Sequence, residues 1–195
     1  MIHHFFAYIA RLRYIRRWGL MRSSRTESLC EHTADTALLA HTLALISVSI
    51  YGTQVRCETV CVAALYHDAS EILTGDMPTP VKYKTEPLRR AYKALERDAA
   101  AQLATLAPHP ARRALAGYLT GDVLTEKERQ LLKAADRLSA LIKCIEEENT
   151  GNHEFTGAKA QQTAALHAMQ CPEAEYFLEH MLPCYAWTLD ELSRE

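Results

Sequence analysis

The residues that most suggest chemistry are His67 and Asp68, a doublet that ends the apolar run over residues 60–66. Both side chains can bind metal ions, and both are costly to bury unless another group pairs with them. In a helix, Glu71 lies one turn from both, so the three side chains can face one point. A divalent metal ion is the simplest partner for this cluster. The alternative is that a lone buried histidine is hydrogen bonded within a core, which is more common.

Two residues far along the chain extend this cluster. His32 lies near the start of a predicted helix, and its imidazole nitrogen is a good ligand for divalent transition metals. Asp136 lies within the Leu- and Ala-rich residues 131–142, where an aspartate needs a partner. That partner is either the neighbouring Arg137 or a metal ion.

The combined set has the charge and ligand types of a catalytic metal site. Two neutral imidazoles and two carboxylates cancel the charge of one divalent cation. Mixed nitrogen and oxygen ligation permits six-coordination by Mn, Fe, Co, Ni or Zn. Four protein ligands leave positions for water and for substrate oxygens, which catalysis requires. If the metal is bound, the pattern predicts a metal-dependent hydrolase.

The elements that must position these residues are predicted to be helices. Helical periodicity dominates and strand alternation is nearly absent, which predicts an all-α, single-domain multi-helix bundle over residues 1–195. Residues 76–80 are predicted to be a Pro-rich loop that cannot be helical. Helices are predicted over 3–17, from Ser28 or Glu31 to about 51, over 57–73, 86–106 and 111–119, from the capping-box pattern at Thr125 and Glu128 to about 149, over 154–169, and over 173–192 with an interruption at Pro183.

Composition indicates a soluble cytoplasmic protein. At 195 residues the chain can build a core that needs no disulfide. Its six scattered cysteines are predicted to be buried free thiols in a reducing compartment. No apolar run approaches the roughly 20 residues of a membrane span. A cleaved signal peptide is not expected, because the weakly apolar start lacks a basic segment before it.

The charge is unevenly distributed. Residues 1–25 carry six arginines and no acidic residue, although the net charge of the whole chain is only −2. A nucleic-acid-binding arm is one interpretation. A helix docked on the bundle fits better, because Phe5, Ile9, Leu12 and Ile15 form an apolar stripe. One or two of the arginines could equally face a small anionic ligand.

Two sets of motifs carry a resemblance to known families. His32, His67, Asp68 and Asp136 resemble the H…HD…D signature of the HD-domain phosphohydrolase superfamily, which is all-α and binds divalent metal. The block YHDASEILTGDMPTPVKY at residues 66–83 is more specific and resembles the signature of YfbR-type bacterial 5'-deoxynucleotidases. Residues 16–22, 25–32, 133–138 and 151–155 also match. The resemblance covers essentially the whole chain, and it implies an HD core over about 28–140, with the N-terminal and C-terminal helices packed on it.

This resemblance implies an activity and a metal. Enzymes of the family hydrolyse 2'-deoxyribonucleoside 5'-monophosphates to deoxynucleoside and phosphate. The expectation for this chain is broad use of bases and selectivity against ribonucleotides. One divalent cation such as Co, Mn or Zn would be held by His32, His67, Asp68 and Asp136.

The resemblance also implies roles in binding and proton transfer. Arg17 would hold the phosphate, because its planar fork suits bidentate contact, and Trp18 would pack against the nucleoside. Glu71 and Asp76 would be catalytic, one acting on the attacking water and the other on the leaving 5'-oxygen. Which is base and which is acid stays open. Trp18 and the loop over residues 76–79 would close the pocket at the sugar's 2' position and so reject the extra hydroxyl of a ribonucleotide. The implied substrate contacts also include Asp68, Asp76, Met77, Pro78, Thr79 and Asp136.

Two alternatives remain at this point. One is another HD-type phosphohydrolase, such as a phosphodiesterase or a guanosine-polyphosphate hydrolase. The other is a non-enzymatic helical binding module whose Arg-rich start is the functional part. The favoured interpretation expects no nucleic acid or membrane partner and, by resemblance, a homodimer. Its interface helices would include Phe177, Leu178, Met181 and Leu182, although these could equally be core.

Overall fold

The computed structural model describes residues 2–82 and 84–194, apart from the side chain of Thr79. Over these residues the chain is helical with no named β-strand, so the predicted all-α bundle is confirmed. None of the helices in the described ranges combines the length and apolar character needed to cross a membrane. The α-helices are α1 (Phe5–Ile9), α2 (Leu29–Ser49), α3 (Cys57–Tyr66), α4 (Glu71–Thr74), α5 (Thr79–Lys82), α6 (Glu86–Thr105), α7 (Arg112–Thr120), α8 (Glu126–Asn149), α9 (Thr156–Ala168), α10 (Pro172–His180) and α11 (Leu189–Leu192).

The main hydrophobic core lies where α2, α3 and α8 pack together. Leu43 of α2, Val60 of α3 and Leu138 of α8 are completely buried there. Burial of one such side chain contributes about 1.5–3 kcal/mol to folding. Ala40 and Ala64 are also buried, and their small side chains let the helix backbones approach closely. This contact positions the candidate site, because each of the three helices carries or directly precedes a predicted metal ligand.

Capping boxes fix the starts of the two longest site helices. At the start of α2, Ser28 Oγ accepts a hydrogen bond from the Glu31 N–H at 3.2 Å. Glu31 Oε2 accepts in return from the Ser28 N–H at 2.8 Å. Thr125 and Glu128 form the same reciprocal pair at the start of α8. Both predicted helix starts are confirmed, and together they satisfy backbone donors that the first turn leaves unpaired.

Glu128 also ties α8 to α3. Its carboxylate is buried and accepts hydrogen bonds from both the N–H and the Nε of Arg56, each at 2.9 Å. Arg56 is the residue that precedes α3, so this contact sets the start of α3 against the start of α8. These charged hydrogen bonds hold the pKa of Glu128 at about 2, although burial opposes the shift.

A second buried carboxylate ties the loop before α2 to the end of α8. Glu147 accepts hydrogen bonds from the Ser24 N–H and from Asn152 Nδ2, both at 2.8 Å. It also pairs with Lys143, one turn earlier on α8. Lys143 in turn donates to the Arg25 carbonyl at 2.6 Å. The segment before α2 is therefore fastened to α8 by charge-assisted hydrogen bonds, which are stronger than neutral ones.

The predicted helix over 3–17 is wrong in its second half. α1 gives way to a 3-10 segment at Ala10–Tyr14, and Ile15 is extended. The reason is backbone pairing with the segment before α2: Leu29 N–H donates to the Ile15 carbonyl at 2.8 Å, and Arg17 N–H donates to the Glu27 carbonyl at 3.0 Å. The docked interpretation of the segment is confirmed, because Phe5 and Leu12 are buried.

The predicted continuous helix over 57–73 is also wrong. α3 ends at Tyr66, and a turn over 67–70 separates it from the single turn of α4. His67 Nδ1 donates to the Ala64 carbonyl at 2.7 Å, so the side chain competes for a carbonyl in the last turn of α3. The backbone bonds that follow span three residues, as from Glu71 N–H to the Asp68 carbonyl at 3.0 Å. The candidate ligands therefore lie on a turn.

The prediction that residues 76–80 cannot be helical is wrong in part. Asp76 to Pro78 are irregular, but α5 forms one helical turn at Thr79–Lys82. Its backbone bonds run from the Val81 and Lys82 N–H groups to the Pro78 carbonyl. Pro80 is tolerated because residues in a first helical turn have no intrahelical acceptor for an N–H.

The C-terminal segments follow the prediction with additional breaks. The predicted helix over 154–169 begins with a 3-10 turn at His153–Phe155, and the one over 173–192 divides into α10, a 3-10 segment at Leu182–Ala186 and α11. The interruption near Pro183 is confirmed. Phe177 is buried in the chain's own core, and Leu178, Met181 and Leu182 pack against that core. The core alternative therefore accounts for these four residues, and the homodimer stays a prediction.

All six cysteines are free thiols, as predicted. The expectation that they are buried holds only for Cys144 and Cys171, because Cys30 is exposed and the others are partly buried. Burial raises the pKa of Cys144 to about 12 and of Cys171 to about 11, so both stay protonated at neutral pH.

Replacing Glu128 with Gln should lower the free energy of unfolding by about 2 kcal/mol at pH 7, because charged hydrogen bonds are lost at a buried position. The folded-state pKa of Glu128, about 2, lies below the usual value of about 4.3. Its contribution is therefore present above about pH 4.3 and is lost as the pH falls towards 2. Urea denaturation at pH 7 and at pH 3 measures this difference. Glu126→Gln, at an exposed position in the same helical turn, is the control, and equal losses for both variants would contradict the assigned role.

Candidate metal centre

Four predicted ligands from separate elements converge on one point. His32 lies in the first turn of α2, His67 and Asp68 lie on the turn after α3, and Asp136 lies in the middle of α8. The ligand atoms of His32, His67 and Asp68 all lie within 4.8 Å of one another. Asp136 Oδ1 is 3.1 Å from His32 Nε2 and 3.9 Å from His67 Nε2. The structure therefore brings all four predicted ligands together.

Each imidazole is oriented through its other ring nitrogen. His67 Nδ1 donates to the Ala64 carbonyl at 2.7 Å, which leaves Nε2 for the centre. His32 Nδ1 is hydrogen bonded to Ser139 Oγ at 3.0 Å, and its Nε2 likewise faces the carboxylates. Metal-binding histidines are commonly held in this way, since the second contact fixes the ring tautomer and orientation.

The donor set fits a divalent metal ion. His67 Nε2 is 3.0 Å from Asp68 Oδ2, yet the two are not aligned as a hydrogen bond, and this buried nitrogen has no hydrogen-bond partner. Such an unpaired buried group is destabilising. A cation between the two imidazoles and the carboxylates would satisfy it. Nitrogen and oxygen donors in this number suit Mn, Co, Ni or Zn better than a cation that prefers oxygen alone.

His67, Asp68 and Asp136 shift one another's pKa values. Burial lowers the pKa of His67, but Asp68 and Asp136 more than offset this and raise it to about 9. Burial raises the pKa of Asp68, but His67 and His32 hold it well below its usual value. The pKa of Asp136 is lowered by His32 and His67 against the same effect of burial. The two carboxylates therefore stay ionised and require positive charge between them.

Glu71 and Asp76 lie beside the centre. Glu71 begins α4, is 6% exposed, and has a buried Oε2 with no hydrogen-bond partner. Burial, together with Asp68 and Asp76, raises its pKa to about 9. Burial also raises the pKa of Asp76, while Arg17 lowers it and Asp68 raises it. Glu71 can therefore hold a proton near neutral pH, and the pKa of Asp76 is shifted in the same direction.

Arg17 and Trp18 are held by Glu27, which the sequence analysis missed. Glu27 Oε2 accepts hydrogen bonds from Arg17 Nη1 at 3.3 Å and from Trp18 Nε1 at 2.8 Å. Trp18 has a φ of +59°, a left-handed conformation that is strained for a bulky residue. Its ring also contacts Phe155 edge-on, with centroids 5.2 Å apart. The surrounding contacts thus hold a strained residue in one orientation.

A cavity of about 290 Å³ opens beside the centre. Predicted site residues on its walls are Arg17, Trp18, Asp76, Pro78 and Asp136. Two predicted substrate contacts with described side chains, Asp68 and Met77, are not part of the lining, and the predicted contact of Thr79 lies outside the described residues. Further lining residues not predicted are Gly19, Leu20, Met21, Pro80, Arg137, Ala140, Ala158, Gln161 and Gln162.

Some residues around the centre were not predicted from the sequence, and only one of them could have been found from helical spacing. Ser139 lies one turn after Asp136, so helical spacing places it on the same face. The sequence offers Arg137 only as a possible partner of Asp136. Instead, Arg137 Nη1 donates to Gln162 Oε1 at 3.1 Å, while Asp136 contacts His32. Glu27 and Gln162 carry no such signal, because their contacts depend on how separate segments pack.

Comparison with known proteins identifies the family of this chain. The family described as "5'-deoxynucleotidase YfbR-like" matches residues 4–185. A curated relative, 5'-deoxynucleotidase YfbR of Escherichia coli, is 42% identical over 192 residues, which cover 98% of this chain and 96% of the relative.

Solved structures share the fold. An HD-domain phosphohydrolase from Listeria innocua has a TM-score of 0.80 at 24% identity, covering 93% of this chain and 88% of that one. The HD phosphohydrolase DatZ of cyanophage S-2L, solved with dA and one catalytic Zn²⁺ ion, has a TM-score of 0.60 at 20% identity, covering 91% of this chain and 95% of that one. At these identities the likeness concerns the fold.

Ser139→Ala should weaken metal binding about tenfold, because removal of a group that orients a ligand typically reduces metal affinity by about 10–100-fold. Calorimetric titration with Mn²⁺ or Co²⁺ measures the change. Ser47→Ala is the matched control, since Ser47 is also buried on a site helix but bonds to Glu173, away from the centre. An unchanged affinity in Ser139→Ala would show that His32 is oriented without this hydrogen bond.

Proposed function

The chain belongs to the YfbR-like 5'-deoxynucleotidase family, and on that premise we propose that it hydrolyses 2'-deoxyribonucleoside 5'-monophosphates to deoxynucleoside and phosphate with a divalent metal ion. The observation that carries the proposal is that the charge-balanced cluster of histidines and aspartates lies beside a cavity whose lining includes Arg17. Identity of 42% over nearly the full length to a 5'-deoxynucleotidase supports the same activity. The dA and Zn²⁺ in the cyanophage structure support a deoxynucleoside-sized ligand beside a metal.

The proposed metal ligands are His32, His67, Asp68 and Asp136. When bound, a divalent cation polarises a phosphate and lowers the pKa of water. The orphaned His67 Nε2 and the short distances among the ligand atoms support this assignment. The ion used in the cell, with Co, Mn and Zn as the candidates, stays a proposal.

Arg17 is the proposed phosphate-binding residue. Arg17 lines the cavity together with Asp136, and the planar fork of donors of its guanidinium suits two phosphate oxygens. Glu27 holds Arg17 and Trp18 with one carboxylate oxygen, so it positions the phosphate contact and the nucleoside contact relative to each other. Because Arg17 and Trp18 are already held in place, their side chains lose little conformational entropy when the substrate binds.

Glu71 and Asp76 are the proposed proton-transfer residues. Asp76 lines the cavity, which supports an assignment to the leaving 5'-oxygen. Glu71 is more deeply buried and feels the charge of Asp68, which supports an assignment to the attacking water beside the ligands. In this assignment, Glu71 acts in its ionised form, which a cation held by the neighbouring Asp68 would favour, and it takes a proton from water as the new phosphorus–oxygen bond forms. Asp76 gives a proton to the deoxynucleoside oxygen as the old bond breaks.

Selectivity for the deoxy sugar is proposed to be steric. Trp18 and Pro78 both line the cavity, and Glu27 and Phe155 hold the Trp18 ring in place. A rigid wall at the 2' position would reject the extra hydroxyl of a ribonucleotide. Because neither wall residue can rotate freely, the cavity cannot widen at low cost.

Further features of the protein are part of the same proposal. Family membership favours the nucleotidase over a different HD hydrolase and over a non-enzymatic binding module. Six free thiols suit the predicted cytoplasmic location. An HD core over about 28–140, broad use of bases, a homodimeric assembly and the absence of a nucleic acid partner are proposed with them.

Phosphate release from a panel of deoxyribonucleoside and ribonucleoside 5'-monophosphates, each with Mg, Mn, Co or Zn, tests the proposed function. Turnover should require a divalent ion and extend to all four deoxynucleotides. The kcat/KM for dAMP should be at least about tenfold higher than that for AMP. Equal turnover of AMP and dAMP would contradict the steric wall. No phosphate release from any deoxynucleotide would contradict the function itself.

Glu27→Gln should raise KM for dAMP about tenfold with little change in kcat, because the charge that holds Arg17 and Trp18 is lost. Steady-state kinetics measures both constants. Glu154→Gln is the matched control, since it breaks the pair with Arg22 in the same N-terminal segment away from the cavity. A fall in kcat alone would place Glu27 in the chemical step instead.

A further inference from the structure

Arg137 and Gln162 form a polar pair in the cavity that the proposed mechanism does not use. Arg137 lies on α8 beside the ligand Asp136, and Gln162 lies on α9. Both line the cavity, and Arg137 Nη1 donates to Gln162 Oε1 at 3.1 Å. The pair therefore links the helix that carries a metal ligand to a helix that carries none.

The contact determines which end of the Gln162 amide is available. An arginine side chain has donors only, so its partner must be the amide oxygen of Gln162. The nitrogen end then carries two N–H donors that this hydrogen bond does not use. Gln162 thus has a donor end whose orientation is set by Arg137.

The position of the phosphate places the rest of the ligand near this donor end. The phosphate must lie by Arg17 and the metal ligands, including Asp136, because these groups supply the positive charge and the chemistry. The α9 part of the cavity lining, which consists of Ala158, Gln161 and Gln162, contributes none of these groups. Ala140 of α8 and Ala158 have small side chains, which leave room between the two helices for a planar group.

Arg137 is not arranged for greatest stability. Its Nε is buried and has no hydrogen-bond partner. A buried donor of this kind destabilises the fold, and such groups concentrate where a site requires a fixed side chain. The arrangement therefore suits a role in binding better than a role in holding α8 to α9.

We propose that Gln162 is the base-binding residue of the cavity and that Arg137 is its positioning residue. The Gln162 amide donates to acceptor atoms on the nucleobase. Every base offers such acceptors, for example N3 and N7 of purines and O2 of pyrimidines, so the contact adds affinity without choosing among bases. This inference rests on the proposed function and extends it to the base.

The test compares substrates with and without a base. Gln162→Leu should raise KM about fivefold for dAMP, dGMP, dCMP and TMP and leave kcat nearly unchanged, as expected for the loss of one hydrogen bond. The same variant should hydrolyse 2-deoxyribose 5-phosphate, which lacks a base, with wild-type kcat/KM. An equal loss on the base-free substrate, or an unchanged KM for nucleotides, would overturn the proposal.

Arg137 is tested through its effect on Gln162. Arg137→Leu should raise KM for nucleotides as Gln162→Leu does, and the double variant should be no worse than either, because both act through one contact. Arg137→Lys, which keeps a donor, should recover part of the loss. Additive effects in the double variant would overturn the positioning role.

A binding measurement separates failure of this inference from failure of the proposed function. Calorimetry with 2'-deoxyadenosine on the metal-loaded protein needs no turnover. The wild-type protein should bind about fivefold more tightly than Gln162→Leu. Equal affinity, or no binding by the wild type, would overturn the base contact whatever the activity, whereas weaker binding by the variant without phosphate release would overturn only the proposed reaction.

Discussion

The packing of two imidazoles and two carboxylates around one point is the constraint on which the rest of this structure depends. His32 is completely buried, and its Nε2 lies 3.5 Å from Asp68 and 3.1 Å from Asp136. Such a cluster is stable only if positive charge lies among the carboxylates. Protons on the imidazoles can supply that charge, as the raised pKa of His67 indicates. A divalent cation supplies it more completely and also satisfies the orphaned nitrogen of His67.

This centre requires α2, α3 and α8 to keep fixed positions relative to one another. Two buried carboxylates outside the centre help to hold them there. Glu128 joins the start of α3 to the start of α8. Glu147 joins the segment before α2 to the end of α8. Each is a charged group whose hydrogen-bonding capacity is largely used by backbone N–H groups and cations, so neither is left uncompensated. The hydrophobic core between the helices supplies most of the stability, while these contacts determine where the loops begin and end.

The cavity combines a reactive part with a recognition part. Asp136 and Arg137 are neighbours on α8, but their side chains have different partners. Asp136 contacts His32, whereas Arg137 contacts Gln162 of α9. On the other wall, Glu27 fixes both Arg17 and the strained Trp18. The centre and the walls therefore depend on different contacts, although α8 contributes to both. In the proposed function, the phosphate common to all substrates is bound beside the centre, while the walls exclude the ribose hydroxyl and contact the base without selecting among bases.

The sequence by itself determined the fold class, a helix start at Ser28 or Glu31 and another at Thr125, and the four His and Asp residues that meet at the centre, because hydrophobic period, capping residues and buried-looking His and Asp residues are local signals. It misplaced the helix boundaries near residues 15 and 67. There a competing partner, the strand-like pairing of Arg16 with Ser28 or the bond from the His67 ring to Ala64, outweighs helical propensity. Only the tertiary structure decided that Glu27 holds the Arg17 segment and that Gln162 of α9 reaches the cavity, since contacts between distant segments follow from packing and carry no local period.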